Sequence, residues 1–471
     1  MSKNIKRAYK YRFYPQQDLV EILAKTFGCV RFIYNKTLDY SQQHYLNKYI
    51  NNDSENNNQK KDKTKEKKLN PEYKFLSGTD RINYAKTLND NIEYAWLNEV
   101  SSIALQQSIR NLNTAYDRFF KKTSKYPQFK KKLNRNSFTI TGKASLHFDK
   151  DFIHNKQFFL PKYKNPLNIK WGKGKDFRSF NHLAVSSVTI SQEPSGKYYI
   201  SFLVNESIKV KPVINEDNNF KQKVSYDLGI KTTAKIYQGK INNFDNEQNS
   251  LDNKEKNNNN KKLFTDFNLP ELIKEIDKKL RKQQRILSRK EKRSKNRNKQ
   301  RIKVAKLYEK KNNILTDYYQ KLSSKIINEN QVIIREDLGV KNMLKNRKLS
   351  RSIHGVAWNR FNEMINYKAK WHNREVITVN RFYPSSKTCS GCGHIYKELK
   401  LSERQWTCLN CNAHHDRDEN ACLNLYHYQQ INNNNGKTAV GTTVAACGGN
   451  VRPTVSKKSK AVSHEAGILC L

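Results

Sequence analysis

A chain of 471 residues carries 89 Lys and Arg against 43 Asp and Glu, and 46 uncompensated positive charges repel one another in a compact fold unless a polyanion neutralises them. Nucleic acid is therefore the expected partner, ahead of a merely solvated basic surface or the Lys and Asn usage of an AT-rich genome, in a chain long enough for about two to four structural modules. No stretch reaches the roughly 18 apolar residues that span a bilayer, the N-terminus has no signal-peptide core, and two CxxC pairs among eight cysteines predict one metal site in a reducing cytosol rather than a disulfide framework.

Lys6 to Tyr14 is rich in Tyr and Phe and predicts a strand, stopped by Pro15 before a helical pattern from Gln16. Residues 51–68 hold no apolar side chain to bury, which predicts a mobile insert. Leu105, Ile109, Leu112, Tyr116 and Phe119 then recur at steps of four, three, four and three, an ordinary core stripe along one helix face. Residues 137–204 change period: SFTI, FFLP, LNIKW, SSVTI and YYISFLV are short, β-branched or aromatic, and separated by turn residues. A small β-barrel or sandwich fits them. A second Asn-rich insert, 242–262, is expected to be a disordered surface loop without chemistry.

Residues 278–311 hold 17 Lys and Arg against Glu291 and Glu309, while Leu280, Ile286, Leu287, Ile302 and Leu307 keep a helical spacing. A long basic helical hairpin follows. Solvated helices alternate charge signs to pair successive turns, and this one does not. Its cations are expected to neutralise phosphates, with affinity that falls steeply as salt rises.

Cys389 and Cys392, 15 residues, then Cys408 and Cys411 have the spacing of a four-cysteine zinc ribbon. Four thiolates satisfy tetrahedral Zn2+ without an open position, so the metal is expected to be structural. Redox-active dithiols are the competing reading, disfavoured by the paired repeat with Gly391 and Gly393 in the knuckle. His394, His414 and His415 lie nearby and are left outside the metal shell.

KVSYDLGI is an alternating strand that ends in Asp227, and TTAKIY continues it after a turn. NQVIIRED is a buried strand delivering Glu336 at its end. In HHDRDENACLNLYHY, Asp418 stands at the first turn of a helix with Ala421, Leu425 and Tyr428 on one face. Acids at two strand ends and one helix start are how an RNase H-like site assembles two divalent ions. Hard cations such as Mg2+ or Mn2+ take oxygen ligands, and two of them about 4 Å apart stabilise both the attacking water and the leaving oxygen of a phosphodiester. Singly, each acid reads as a surface charge or an ion-pair partner, and Asp416 as a helix cap. Asp337 points to the other face of its strand and serves as a non-catalytic comparison.

YKYRFYP at the start, FGCVRFIYN at 27–35, YPQFKKK at 126–132, YDLGIK around Asp227, REDLGVKNM around Glu336, SSKTCSGCG at 385–393 and CNAHHDRDENA at 411–421 together resemble the TnpB (OrfB) family. These are transposon-encoded RNA-guided DNA nucleases related to type V CRISPR effectors. The resemblance implies an α/β multidomain chain. Residues 1–15 and 136–222 would form a wedge β-barrel, and 16–135 a helical recognition lobe. An RNase H-like (RuvC-like) nuclease domain would take 223–388 and 413–428, with the basic hairpin at 271–327 and the zinc ribbon at 389–412. Residues 429–471 are expected to be a disordered tail.

The resemblance further implies Asp227, Glu336 and Asp418 as the nuclease triad and the four cysteines as zinc ligands. It implies a guide RNA from the transposon end, a double-stranded DNA target cut beside a short adjacent motif, and a monomeric ribonucleoprotein in the cytoplasm, associated with the nucleoid. Base pairing would then supply sequence specificity while the protein reads backbone shape and the adjacent motif. A catalytically silent RNA-guided repressor and a strand-transfer transposase are the alternatives; the presence of all three acids favours the active nuclease.

Overall fold

The structure, a computed structural model, describes residues 2–46, 74–132, 135–142, 146–172, 180–210, 212–213, 222–230, 232–238, 264–347, 349–400 and 402–434. Both Asn-rich inserts and everything after 434 lie outside them.

Alternation decides the first strand, β1 (Ser2–Phe13): Ile5, Tyr9 and Phe13 are buried on one face, while Lys6, Ala8 and Lys10 between them stay exposed. Pro15 ends it, and the chain enters α1 (Gln17–Leu46), α2 (Gly78–Asp90) and α3 (Ser102–Phe120). A capping box starts α2: the Asp80 backbone N–H donates to Ser77 Oγ, and the Asp80 carboxylate accepts from the Ser77 backbone N–H. On α3, Leu105, Ile109, Leu112 and Tyr116 are buried as their spacing requires.

Strands β2 (Asn136–Thr141), β3 (His147–Phe148), β4 (Phe158–Phe159), β5 (Ile169–Lys170), β6 (Val185–Gln192) and β7 (Tyr198–Lys209) follow. Five of the strands form one antiparallel sheet, in the order β2-β6-β7-β1-β5, with β1 and β7 paired over their whole length. The barrel expected from 1–15 and 136–222 is, among the described residues, an open sheet. Edge strand β5 is only two residues long and does not reach β2. Rings fill that end instead: Trp171 packs against Tyr11 at 5.0 Å and Phe202 at 5.7 Å between centroids. Helices and sheet share one core, with Leu23, Val30, Leu97 and Ile109 packed among Ile140, Val188, Ile200 and Phe202.

A second sheet is built from β8 (Lys223–Asp227), β9 (Ala234–Tyr237), β10 (Phe264–Phe267), β11 (Val332–Glu336) and β12 (Glu375–Val379). Its order is β10-β9-β8-β11-β12, with β8, β11 and β12 parallel and β9 and β10 antiparallel. Between β10 and β11 run α4 (Glu271–Ser288) and α5 (Lys295–Glu329), the expected basic hairpin. Ile276, Leu280 and Val304 form its apolar seam, and Arg281, Lys282, Arg285, Arg289, Lys292 and Lys295 are exposed.

One face of this sheet is covered by α5 and α6 (Trp358–His372), which pack Tyr319, Ile326, Phe361 and Ile365 onto Val224, Tyr226 and Ile333. Beyond β12 lies a small hairpin of β13 (Gln405–Thr407) and β14 (His414–Asp416). The last helix, α7 (Arg417–Asn434), covers the opposite face, with Leu425 against Val332, Ile334 and Val379. It continues past residue 429, where the tail was expected to begin. No helix among the described residues is long and apolar enough to cross a membrane.

Candidate active site and metal centre

The two-residue period of a strand decides where the acids point. On β8, Val224 and Tyr226 face α5 and α6, whereas Ser225 faces α7, its Oγ donating to the Cys422 carbonyl at 2.7 Å. Asp227 therefore points to the α7 side. On β11, Ile333 faces α5 and α6, whereas Val332 and Ile334 face α7, so Glu336 joins Asp227. Because β8 and β11 are parallel and adjacent, the two acids end neighbouring strands at one edge of the sheet.

The electrostatics report that proximity. Burial, and then the charge of Asp418, push the Asp227 carboxyl up to about 6. Burial, and then the charges of Asp227 and Asp337, push Glu336 up to about 7. Asp337 itself turns to the other side and is gripped by Arg381, whose Nε donates to its Oδ2 at 3.0 Å and whose Nη2 donates to the same oxygen.

Asp418 sits in the first turn of α7. Asp416 caps that turn, accepting the backbone N–H groups of Asp418 and Glu419 at 3.0 Å each, as its place in the sequence suggested. The Asp418 carboxylate is held by Arg404, whose Nη1 lies 2.6 and 2.9 Å from its two oxygens, and Arg417 Nε stands 3.5 Å away. Held this way, Asp418 stands near enough to Asp227 for its charge to be felt there, without the three acids converging to close ligand spacing. Among the described residues, only the four cysteines bring three or more such ligand atoms within 4.8 Å of one another.

Those cysteines are Cys389, Cys392, Cys408 and Cys411. Cys389 and Cys411 Sγ are 3.6 Å apart, and Cys392 and Cys408 Sγ 3.5 Å. A tetrahedron of sulfurs about 2.3 Å from a zinc ion has edges of about 3.8 Å, so the set fits that metal. Trp406, Leu399 and the buried Cys389 and Cys408 make a small core beneath the site. His415, left outside the shell on sequence, lies against it: its Nε2 is 3.1 Å from Cys389 Sγ and its ring packs on Trp406 at 4.8 Å.

Several residues that build the site carry no motif of their own. Asn420 and Asn424, both buried on α7, each donate to the Ser385 and Thr388 carbonyls, and Asn420 Oδ1 accepts from the Ser390 backbone. They tie the first cysteine knuckle to the helix that carries Asp418. Their spacing of four along a helix was the available signal. Arg404 had none, because its approach to Asp418 depends on the β13–β14 register, in which Gln405 opposes Asp416.

Three family models match the chain: "Helix-turn-helix domain" over residues 1–48, "Probable transposase" over 264–347 and "Cas12f1-like, TNB domain" over 358–425. The first spans a strand and one continuous helix here. A protein of Streptomyces pristinaespiralis bearing the provisional name of RNA-guided DNA endonuclease is 33% identical over 461 residues, covering 96% of this chain and 94% of its own. A second with that provisional name, InsQ of Escherichia coli K12, is 27% identical over 94% of both chains. Among solved structures, a Cas12f1-sgRNA-target DNA complex aligns over 90% of this chain and all of the other at 16% identity, with a TM-score of 0.31.

Proposed function

The chain belongs to the TnpB (OrfB) family of RNA-guided DNA nucleases, and from that membership we propose a divalent-metal-dependent DNA endonuclease of RNase H-like (RuvC-like) fold, with Asp227, Glu336 and Asp418 as its working acids. The observation that carries the site is the meeting of Asp227 and Glu336. They end adjacent parallel strands on the same face, and their carboxyls are raised by burial and by neighbouring negative charge. Evolution has no structural need to bury repelling carboxylates together; a cation relieves the repulsion.

Asp227 and Glu336 would hold Mg2+ or Mn2+ from the strand ends and Asp418 from α7. Bound there, such ions supply Lewis-acid stabilisation to the attacking water and the leaving oxygen of a phosphodiester. The chain's own contribution is a rigid edge: both strands are fixed by their ladders, and Asp416 and the two Asn residues fix α7. Arg404 orients the Asp418 carboxylate, and its guanidinium stands where a phosphate could take over the ion pair. The four cysteines would hold a structural Zn2+.

Guide RNA and duplex DNA are the proposed partners. Between β1 and the far halves of α5 and α6 lies a cleft of 1170 Å3 lined by Lys6, Arg7, Lys10, Lys321, Lys368 and Trp371. Lys368 reaches into this lining with its Nζ donating to the Gln320 carbonyl, Ser323 Oγ and Ser324 Oγ at 2.8 Å each. Basic and aromatic side chains together suit a nucleic-acid strand. The cleft lies against α5 and α6, which cover one face of the sheet, whereas the acids point to the opposite face, the one covered by α7. A strand seated there is not the one being cut, which favours the guide RNA as occupant.

The test is the purified ribonucleoprotein with matched duplex and Mg2+. Free cut ends that vanish in Asp227→Ala and Glu336→Ala, with DNA binding retained, support the reading. Uncut DNA under confirmed binding would reject it in favour of a silent RNA-guided binder, and joined donor and target ends in favour of strand transfer.

A further inference from the structure

Phe382 is the most exposed aromatic ring among the described residues, 86% exposed. It lies three residues beyond Val379, the last residue of β12, which stands opposite Glu336 on β11. Strand spacing and chain reach therefore put it within about 15 Å of Glu336, at the edge of the sheet that carries the acids.

The segment that carries the ring is fixed rather than loose. Phe382 N–H donates to Asn380 Oδ1 at 2.9 Å, closing a turn of the kind Asn side chains make, and Tyr383 N–H donates to the Asn380 carbonyl at 2.9 Å. On one side Arg381 is forked onto Asp337; on the other Tyr383 packs edge-on against Tyr428 of α7, with centroids 5.1 Å apart. The flanking residues are thus anchored to β11 and α7, the two elements that supply Glu336 and Asp418. Asp337, which sequence reasoning set aside as a comparison, acquires a purpose: it anchors this turn.

A solvated phenyl ring on an anchored turn beside a phosphodiester-cleaving edge has one chemical complement there, the flat face of an unpaired base. We propose that Phe382 stacks on a nucleobase of the DNA strand being cut and so positions the scissile phosphate over the acids. The inference rests on the nuclease reading above. Stacking is sequence-tolerant, because every base offers a π face, which suits an enzyme whose specificity comes from pairing elsewhere.

Single-turnover cleavage by the assembled ribonucleoprotein tests it, with saturating matched duplex and Mg2+. Phe382→Ala is expected to slow cleavage by about 10- to 100-fold at unchanged guide-RNA and target affinity and unchanged melting, with Phe382→Trp restoring most of the rate. Single abasic sites scanned through the cut strand give the readout that a structural role does not move. One position is expected to slow the wild type and to add nothing in Phe382→Ala. Wild-type cleavage with an equally fast Phe382→Ala would overturn this inference alone, as would abasic effects that multiply with the substitution at every position, or a lowered melting temperature accompanying the loss. Failure of the wild type to cut is a different outcome and refutes the nuclease reading itself.

Discussion

Replacing Asp227 by Asn should make the protein more stable and inactive at once. The folded-state pKa of Asp227 is raised from 3.8 to about 6, so the folded chain holds this proton more tightly than the unfolded chain does. Its favourable contribution is complete below the unfolded value, shrinks as pH rises through about 6, and is absent above. At pH 8 the ionised group costs up to about 3 kcal/mol, two pKa units at 1.36 kcal/mol each, and at pH 5 roughly half of that. Asn carries no such charge. In Mg2+-free buffer Asp227→Asn should therefore melt higher than the wild type by several degrees at pH 8, with the gap about halved at pH 5. Glu336→Gln should behave alike, its gap closing as pH falls below about 7. Because the Asp227 charge is one of the causes that raise Glu336, the double variant should gain less than the sum. Thermal melting at the two pH values, alongside cleavage of matched duplex, measures both effects. A variant that melts at or below the wild type at pH 8, or a gap that widens on acidification, refutes the electrostatic reasoning; residual cleavage refutes the metal role.

The other expectations concern the ribbon, the hairpin and the cleft. Cys408→Ser should lower bound zinc from one per chain and loosen the turn carrying Asp418, because metal binding there is coupled to folding; metal analysis showing full zinc with unchanged melting contradicts it. Guide-RNA affinity should fall steeply with salt, and converting Arg285, Arg289, Lys292 and Lys295 to Gln should flatten the log–log slope by about 3; an unchanged slope removes the hairpin from the RNA interface. Trp371→Ala should weaken guide-RNA binding by about 10-fold or more while leaving target pairing by the RNA that does bind intact. If target-strand affinity falls and guide affinity does not, the cleft holds DNA.

What was legible in the sequence is what depends on local period. Strand alternation set Asp337 on the face opposite Glu336, and helix period placed Ala421 and Leu425 inward, with Asp416 left to cap. What was not legible depends on contacts across long separations. The first sheet reads as barrel strands, yet whether such strands close is decided by their lengths at the edges, and β5 is too short. The acids scattered in the basic hairpin looked alike. In the structure Glu309 is half-buried against the first sheet, accepting from Tyr199 and pairing with Lys197 at 2.9 Å, while Glu291 is exposed.

The ribbon shows how the two kinds of information combine. Four cysteines announce a metal, but nothing in their spacing says what the metal is for. In the fold, the first knuckle is sewn to α7 by Asn420 and Asn424, and the second leads through β14 into Asp416 and Asp418. A loop between β12 and α7 long enough to hold the cysteines would otherwise leave the helix start free to drift, since loop-closure entropy offers little resistance. Cross-linking it through one ion would turn that loop into a strut, and the third proposed acid would then be as fixed as the two that ride on strands.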